Sequence, residues 1–248
     1  MSASDHRAYP PLNTLKAVCD DVWVVDGPVI RFGPPGLNMP FPTRMTVVRL
    51  AGGDLFIHSP TALTPALRAG ILDLGRPSWI IGPNRIHYWW ITDWKRSFEG
   101  AEVYLAPRIP EQAGDRVDFD HRPLEGSHGY PWDGEILTLP VEGRFMTEVE
   151  FLHRASRTLI LTDLIENFEA DKLGLMMRGL TWLGGVLSPD GQMPRDMRRT
   201  FSKRNLRTAV DTLIAWNPER VILAHGRWYR ANGADELRRA FRWLPPNA

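Results

Sequence analysis

Four short apolar runs each stop at a side chain able to hold a metal or a proton. They are Asp54-Leu55-Phe56-Ile57 before His58, Trp79-Ile80-Ile81-Gly82 before Asn84 and His87, Leu159-Ile160-Leu161-Thr162 before Asp163, and Val221-Ile222-Leu223-Ala224 before His225. Brevity, β-branched content and flanking Pro or Gly mark them as strands, and unbroken apolarity marks them as buried on both faces. Polar groups at the carboxyl ends of neighbouring buried strands can meet at one sheet edge, where α/β proteins place ligands. A shared site is therefore expected, although strand order is not written in the pattern.

Further strands are expected at Val22–Val25 and at Met45–Leu50, the latter pairing as a hairpin with Leu55–His58 across Ala51–Asp54. The Gly- and Pro-rich stretch from Gly27 to Pro42 excludes a long regular element. A helix follows, with Thr64 as cap, Pro65 in its first turn, Leu67, Ile71 and Leu74 as its apolar stripe, and Gly75 as its stop. A second helix is expected to begin at Asn84, which would put His87, Ile91 and Trp94 on one face. A strand at Ala101–Ala106 closes this half. Residues from about 108 to 134 are loop-rich, and their His121 and His128 receive no role. Strands Ile136–Leu139 and Glu148–His153 then lead through the turn Arg154–Arg157 into Leu159–Asp163. The apolar segment Leu173–Leu187 reads as a buried or interface helix, too short to span a bilayer and interrupted by Arg178. A basic stretch from Arg195 to Arg207, a helix with Leu206, Val210, Leu213 and Ile214 on one side, and a last helix around Leu237, Phe241 and Leu244 complete the chain.

At 248 residues with a formal net charge of +1, one domain is expected, with a helical insertion at about 166–205, and no whole-molecule field that would suggest nucleic acid. The single cysteine, Cys19, excludes an internal disulfide framework, and the start Met1–Arg7 lacks the apolar core of a secretory signal. The expectation is a cytoplasmic protein without a transmembrane segment. A small molecule is the expected partner, and a homodimer is left open.

The order of elements resembles the metallo-β-lactamase fold over nearly the whole chain: the opening strands, the strand into the Asn84 turn, the hairpin to Asp163, and the closing helix, strand and Ala224-His225-Gly226. The resemblance implies an α+β protein, a four-layer αββα sandwich, with one or two metal ions, usually zinc, activating water at the sheet edge. Family ligands come from a His-x-His-x-Asp-His turn, a later His, a bridging Asp and a final His. Here the turn reads Pro83-Asn84-Arg85-Ile86-His87-Tyr88-Trp89, and Arg144 of Gly143-Arg144-Phe145-Met146-Thr147 stands where the later histidine would. Asp163 and His225 match, and His58 occupies the place of an aspartate near the end of the second strand. A dinuclear site is not expected. The chain more closely resembles a bacterial branch of the fold without an established reaction, with Phe41-Pro42-Thr43-Arg44-Met45, Pro83-Asn84-x-x-His87 and Phe151-Leu152-His153-Arg154-x-Ser156-x-Thr158 as its recurring phrases.

Zinc needs about three protein ligands and an open position for water. His87, Asp163 and His225 can supply that set, with His58 as a fourth ligand or an orienter of one of the three. The competing reading is a hydrogen-bonded polar cluster without metal, in which Asn84 caps a helix and Asp163 pairs with Arg154 or Arg157. Glu150 is placed facing the site as a base or substitute ligand, or in an ion pair with an arginine. Asp163 and His225 can also form an acid/base pair without metal. Tyr88, Trp89, Trp90 and Trp94 either roof an apolar pocket or belong to the core or a subunit interface. The leading expectation is a hydrolase with a reduced, mononuclear site and one divalent ion, zinc foremost, acting on an ester, thioester, lactone or phosphoester. The alternative is a catalytically inactive small-molecule-binding protein, with Asn84, Arg144 and His58 contacting an anionic ligand and no metal at all.

Overall fold

Phe56 from one sheet meets Phe151 from another with ring centroids 5.0 Å apart, and Trp132 packs on the same Phe56 ring, also at 5.0 Å. This aromatic contact is the centre of a sandwich in the computed structural model, which describes residues 8–33 and 39–245. The expectation for Met1–Arg7 and the middle of the Gly27–Pro42 stretch lie outside the described residues.

The strands are β1 (Lys16–Cys19), β2 (Val22–Asp26), β3 (Ile30–Phe32), β4 (Met39–Phe41), β5 (Arg44–Arg49), β6 (Asp54–His58), β7 (Arg76–Gly82), β8 (Glu102–Leu105), β9 (Arg122–Pro123), β10 (Ile136–Glu142), β11 (Thr147–His153), β12 (Thr158–Ile160) and β13 (Arg220–Ile222). One sheet runs β1-β2-β5-β6-β7-β8-β9, the second β10-β11-β12-β13, and β3 pairs with β4 alone. The four apolar runs of the sequence are β6 with β7 and β12 with β13, and both pairs are parallel. Their carboxyl ends therefore emerge on the same edge of their sheets, as the shared-site expectation requires.

The helices are α1 (Pro65–Leu74), α2 (Ile91–Ser97), α3 (Ile109–Ala113), α4 (Leu175–Gly184), α5 (Lys203–Ala215) and α6 (Gly233–Ala240). In α1 the Thr64 hydroxyl accepts from Leu67 N–H and Leu67 and Ile71 are buried, as the pattern predicts. One hydrophobic core lies between the sheets and extends to α1 and α2; a second joins the outer face of β11 and β12 to α5 and α6. The result is an α+β metallo-β-lactamase-like arrangement of two packed sheets with helices outside.

Two expectations are corrected, and the buried alternative for a third holds on one helix face only. The helix predicted from Asn84 begins only at Ile91, because the Asn84 side chain is engaged elsewhere and closes a turn by accepting from Ile86 N–H. The strand predicted through Asp163 ends at Ile160, since the N–H groups of Thr162, Asp163 and Leu164 go to the Glu148 carboxylate instead of a neighbouring strand. The Leu173–Leu187 segment buries only part of α4: Leu175 is 89% and Trp182 68% exposed. No helix among the described residues is long and apolar enough to cross a membrane.

A buried clasp joins the two halves. Arg44 of β5 pairs with Asp26 of β2 at 2.8 Å and donates to the carbonyls of Leu223 and Gly226, on either side of His225. Gly226 has φ +87°, and a Cβ there would come within 2.1 Å of Asn167 O, so the turn after His225 requires glycine. Removing Arg44 leaves Asp26 with only the partly exposed Lys16 as partner and frees the Leu223 and Gly226 carbonyls, and losing one member of a buried pair costs about 3–5 kcal/mol. Arg44→Met should lower stability by roughly that amount in urea unfolding, with part of the loss recovered by adding Asp26→Asn; a loss below about 1 kcal/mol would refute the clasp.

Candidate metal centre

Asp163 leaves β12 on a loop whose conformation is imposed by Glu148. The Glu148 carboxylate is fully buried on β11 and accepts from three successive backbone N–H groups, at 2.8 Å from Thr162, 2.9 Å from Asp163 and 3.1 Å from Leu164. Those donors favour its charge, while burial first and the Asp163 charge second raise its pKa, and the net direction is up. Asn84 then bridges the loop to the end of β7: its Nδ2 donates to Asp163 Oδ2 at 2.6 Å, to Thr162 Oγ1 at 2.8 Å and to Glu148 Oε2 at 3.3 Å.

His87 and His225 converge on the same carboxylate. His225 Nε2 lies 3.1 Å from Asp163 Oδ1, His87 Nε2 lies 3.3 Å from Oδ2, and the two Nε2 atoms are 3.2 Å apart. His225 donates from Nδ1 to Pro42 O at 2.7 Å, which assigns its second nitrogen to the centre. His87 Nδ1 is 2.7 Å from Ser59 Oγ, and Ser59 reaches that place through a left-handed backbone with φ 50°. The His225 ring is flanked by Phe41 at 5.4 Å and Phe168 at 6.4 Å. A ligating histidine ordinarily gives its other nitrogen to such a partner.

The donor set fits a divalent ion. Tetrahedral zinc with bonds of about 2.0–2.1 Å puts ligand atoms roughly 3.3 Å apart, close to the three separations above. Two lone pairs also cannot face each other at 3.2 Å without a positive charge between them, whether a proton or a metal. His87, Asp163 and His225 are the group of potential ligands that comes together among the described residues, and all three line one cleft of about 1020 Å³.

Electrostatics follow from burial. Burial alone would push Asp163 up, but the charge of His87 and the hydrogen bonds from both imidazoles outweigh it and hold the carboxyl well below its usual range. Burial lowers His225, yet the Asp163 hydrogen bond and charge and the Glu166 charge raise it on balance. Glu166, at the cleft wall, is pushed up to about 8, chiefly by burial.

The remaining sequence-predicted residues fall outside this group. His58 points between the sheets onto Phe151, 5.5 Å between centroids, and burial and then the His87 charge lower it to about 3. It is a neutral core imidazole and does not join His87, Asp163 and His225. Glu150 sits on the same face of β11 as Glu148 but does not line the cleft; burial, then the Glu148 charge, raise its pKa well above normal, and no ion pair to arginine forms among the described residues. Arg144 is exposed, donates to Arg199 O at 2.9 Å and does not line the cleft either. Asp163 pairs with neither Arg154 nor Arg157, the latter binding Glu219. The aromatic run divides: Trp94 is core, whereas Trp89 and Trp90 line the cleft. Sequence reading missed Glu148, Ser59 and Glu166. Two acids at alternate positions in an otherwise apolar strand were a signal for Glu148; nothing local marks Ser59.

Two packed sheets with helices outside and a His, Asp, His cluster at the strand ends define a protein of metallo-β-lactamase fold. The chain belongs to the family described as Domain of unknown function (DUF4336), which matches residues 20–178 and so ends before His225. No curated protein matches it. Among solved structures, a metallo-β-lactamase from Pontibacter korlensis is 11% identical, with 93% of this chain and 98% of that one covered and a TM-score of 0.60. The FIM-1 metallo-β-lactamase of Pseudomonas aeruginosa, in its mono-zinc form, is 13% identical over 94% and 96%, TM-score 0.60. The chemotaxis sensor ODP, as a peroxy diiron species, is 14% identical over 93% and 94%, TM-score 0.57. At these identities the likeness is one of fold.

Asp163 and His225 both contribute to stability, with opposite dependence on pH. Asp163, depressed, stabilises above the ordinary carboxylate range and loses this as pH falls through its folded value; His225, raised, stabilises below about 6.5 and loses this as pH rises through its folded value. A metal must displace the His225 proton. Below the raised His225 value, metal affinity should therefore rise about tenfold per pH unit for each proton displaced. Calorimetry in buffers of different ionisation enthalpy should register that proton release, and pH-independent uptake without it would contradict the raised His225 pKa.

Proposed function

We propose that this chain is a hydrolase working with a single divalent metal, zinc foremost, held by His87, Asp163 and His225. The observation that carries the reading is the commitment of both Nδ1 atoms to Pro42 O and Ser59 Oγ, which leaves two Nε2 atoms and a carboxylate aimed at one point on the cleft floor. With His58, Glu150 and Arg144 outside the cluster, no second set of ligands accompanies it among the described residues. The mono-zinc form of FIM-1 shares the fold, which supports a one-metal centre here as a working arrangement.

A divalent ion at this point supplies Lewis acidity and a bound water of lowered pKa. The chain's own groups do the rest. Asn84 fixes Asp163 Oδ2, and through it the orientation of the carboxylate between the imidazoles. Glu166 lines the cleft and burial pushes its pKa up to about 8 in the metal-free chain, which makes it the group placed to give a proton to the leaving group. Phe41 and Phe168 restrain the His225 ring and keep water from its faces. Ester, thioester, lactone and phosphoester substrates are all compatible with this constellation.

Metal content by mass spectrometry of tag-free protein, after incubation with zinc, manganese and iron, should approach one ion per chain and be lost in Asp163→Ala and His225→Ala. Absence of uptake under every condition would overturn the hydrolase reading and leave a metal-free binding cleft. Glu166→Gln should keep the metal but slow hydrolysis of alkyl esters by about 100-fold or more, while p-nitrophenyl esters, whose leaving group needs no proton, change little. Equal losses on both would remove Glu166 from the acid role.

A further inference from the structure

The cleft above the three ligands is large, about 1020 Å³, at the top of the roughly 300–1,000 Å³ range of small-molecule sites. One wall is α4, presenting Met177 and Leu180; facing side chains include Phe32, Trp89, Phe145 and Phe168. The hydroxyls in this lining are already spent within the protein. Thr43 donates to Pro28 O, Thr181 to Met177 O and Thr200 to Met197 O, and Ser59 is held by His87. A polar substrate would lose its hydration there and find few partners in return, whereas an apolar one would gain from burial. At the rim the chemistry changes. Arg195 caps the end of α4 by donating to Leu183 O, and exposed Arg199 makes no ion pair among the described residues. Asp196 stands beside them.

We propose that the cleft binds an amphiphile, an apolar acyl tail along α4 and an anionic head at Arg199, with the ester or thioester linkage between them presented to His87, Asp163 and His225. Only the linkage depends on the hydrolase reading; tail and head recognition depend on the cleft itself. The tail follows from an apolar wall whose hydroxyls are spent within the protein, and the head from the arginines where the cleft opens. Such a molecule can arrive from two sources. One is solution. The other is a lipid surface, because α4 also carries an outward apolar face of Leu175, Met176 and Trp182, 89%, 68% and 68% exposed.

The test uses metal-free protein and n-alkyl phosphates of 6 to 12 carbons, with the matching n-alkanols as uncharged probes, titrated calorimetrically below their aggregation limits. Affinity should rise about fourfold per methylene until the cleft is filled. Leu180→Asp should abolish that dependence, and Leu183→Asp, at an exposed position of the same wall, serves if the first variant does not fold. Arg199→Gln should weaken the phosphates at least threefold and leave the alkanols unchanged. Binding without chain-length dependence, or unaffected by both wall variants, would overturn the proposal. Parallel titration of Asp163→Asn separates the two readings: chain binding that survives loss of metal uptake supports the cleft assignment independently, while metal uptake without chain binding overturns it alone. Sedimentation with anionic vesicles distinguishes the sources. Co-sedimentation lost in Trp182→Ser supports delivery from a lipid surface, and binding of monomeric probes without it supports delivery from solution.

Discussion

A buried carboxylate between two imidazoles needs compensating charge, and much of the structure around Asp163 follows from that need. Its oxygens take both Nε2 groups and the Asn84 amide, at 2.6 to 3.3 Å. Charges so far from water persist only when paired and hydrogen-bonded. Glu148 brings the loop to this point by gathering three backbone N–H groups that no strand uses, and so a second buried carboxyl ends β12 early. Beyond the imidazoles, Pro42 O and Ser59 Oγ fix which nitrogen of each ring meets the carboxylate.

The same requirement links the two sheets. Arg44 holds the carbonyls that bracket His225, and its own charge is met by Asp26, which is also paired to Lys16 at 2.9 Å. The phrase Phe41-Pro42-Thr43-Arg44 thus carries, in consecutive residues, a ring against His225, the acceptor for its Nδ1, a hydroxyl donating to Pro28 O, and the clasp. Stability and the orientation of His225 are supplied here by the same few side chains.

Much of the fold was legible because burial on both faces leaves continuous apolar runs, and β6, β7, β12 and β13 all appear as such runs. The α1 helix was legible to its cap, since Thr64 and Pro65 act locally. His87, Asp163 and His225 were found for the same reason, each being the first strong ligand after a buried strand or its turn. What failed was non-local. Asn84 looks like a helix cap until Asp163 claims its amide from 79 positions away. Glu150 and Glu148 share one strand face, and only the partner loop shows that Glu148 is the one in use. Arg144 was placed by likeness to a ligand position, and its guanidinium instead binds the Arg199 carbonyl without lining the cleft itself. His58 ends a strand as the others do, but the aromatic core between the sheets receives it.

The most direct measurement is anomalous diffraction at the zinc edge from crystals grown with equimolar zinc. The account predicts one peak per chain, within bonding distance of His87 Nε2, His225 Nε2 and an Asp163 oxygen, with His58 and Glu150 uninvolved. A peak elsewhere, a second ion beside the first, or two imidazoles still sharing only a proton around Asp163 would contradict it.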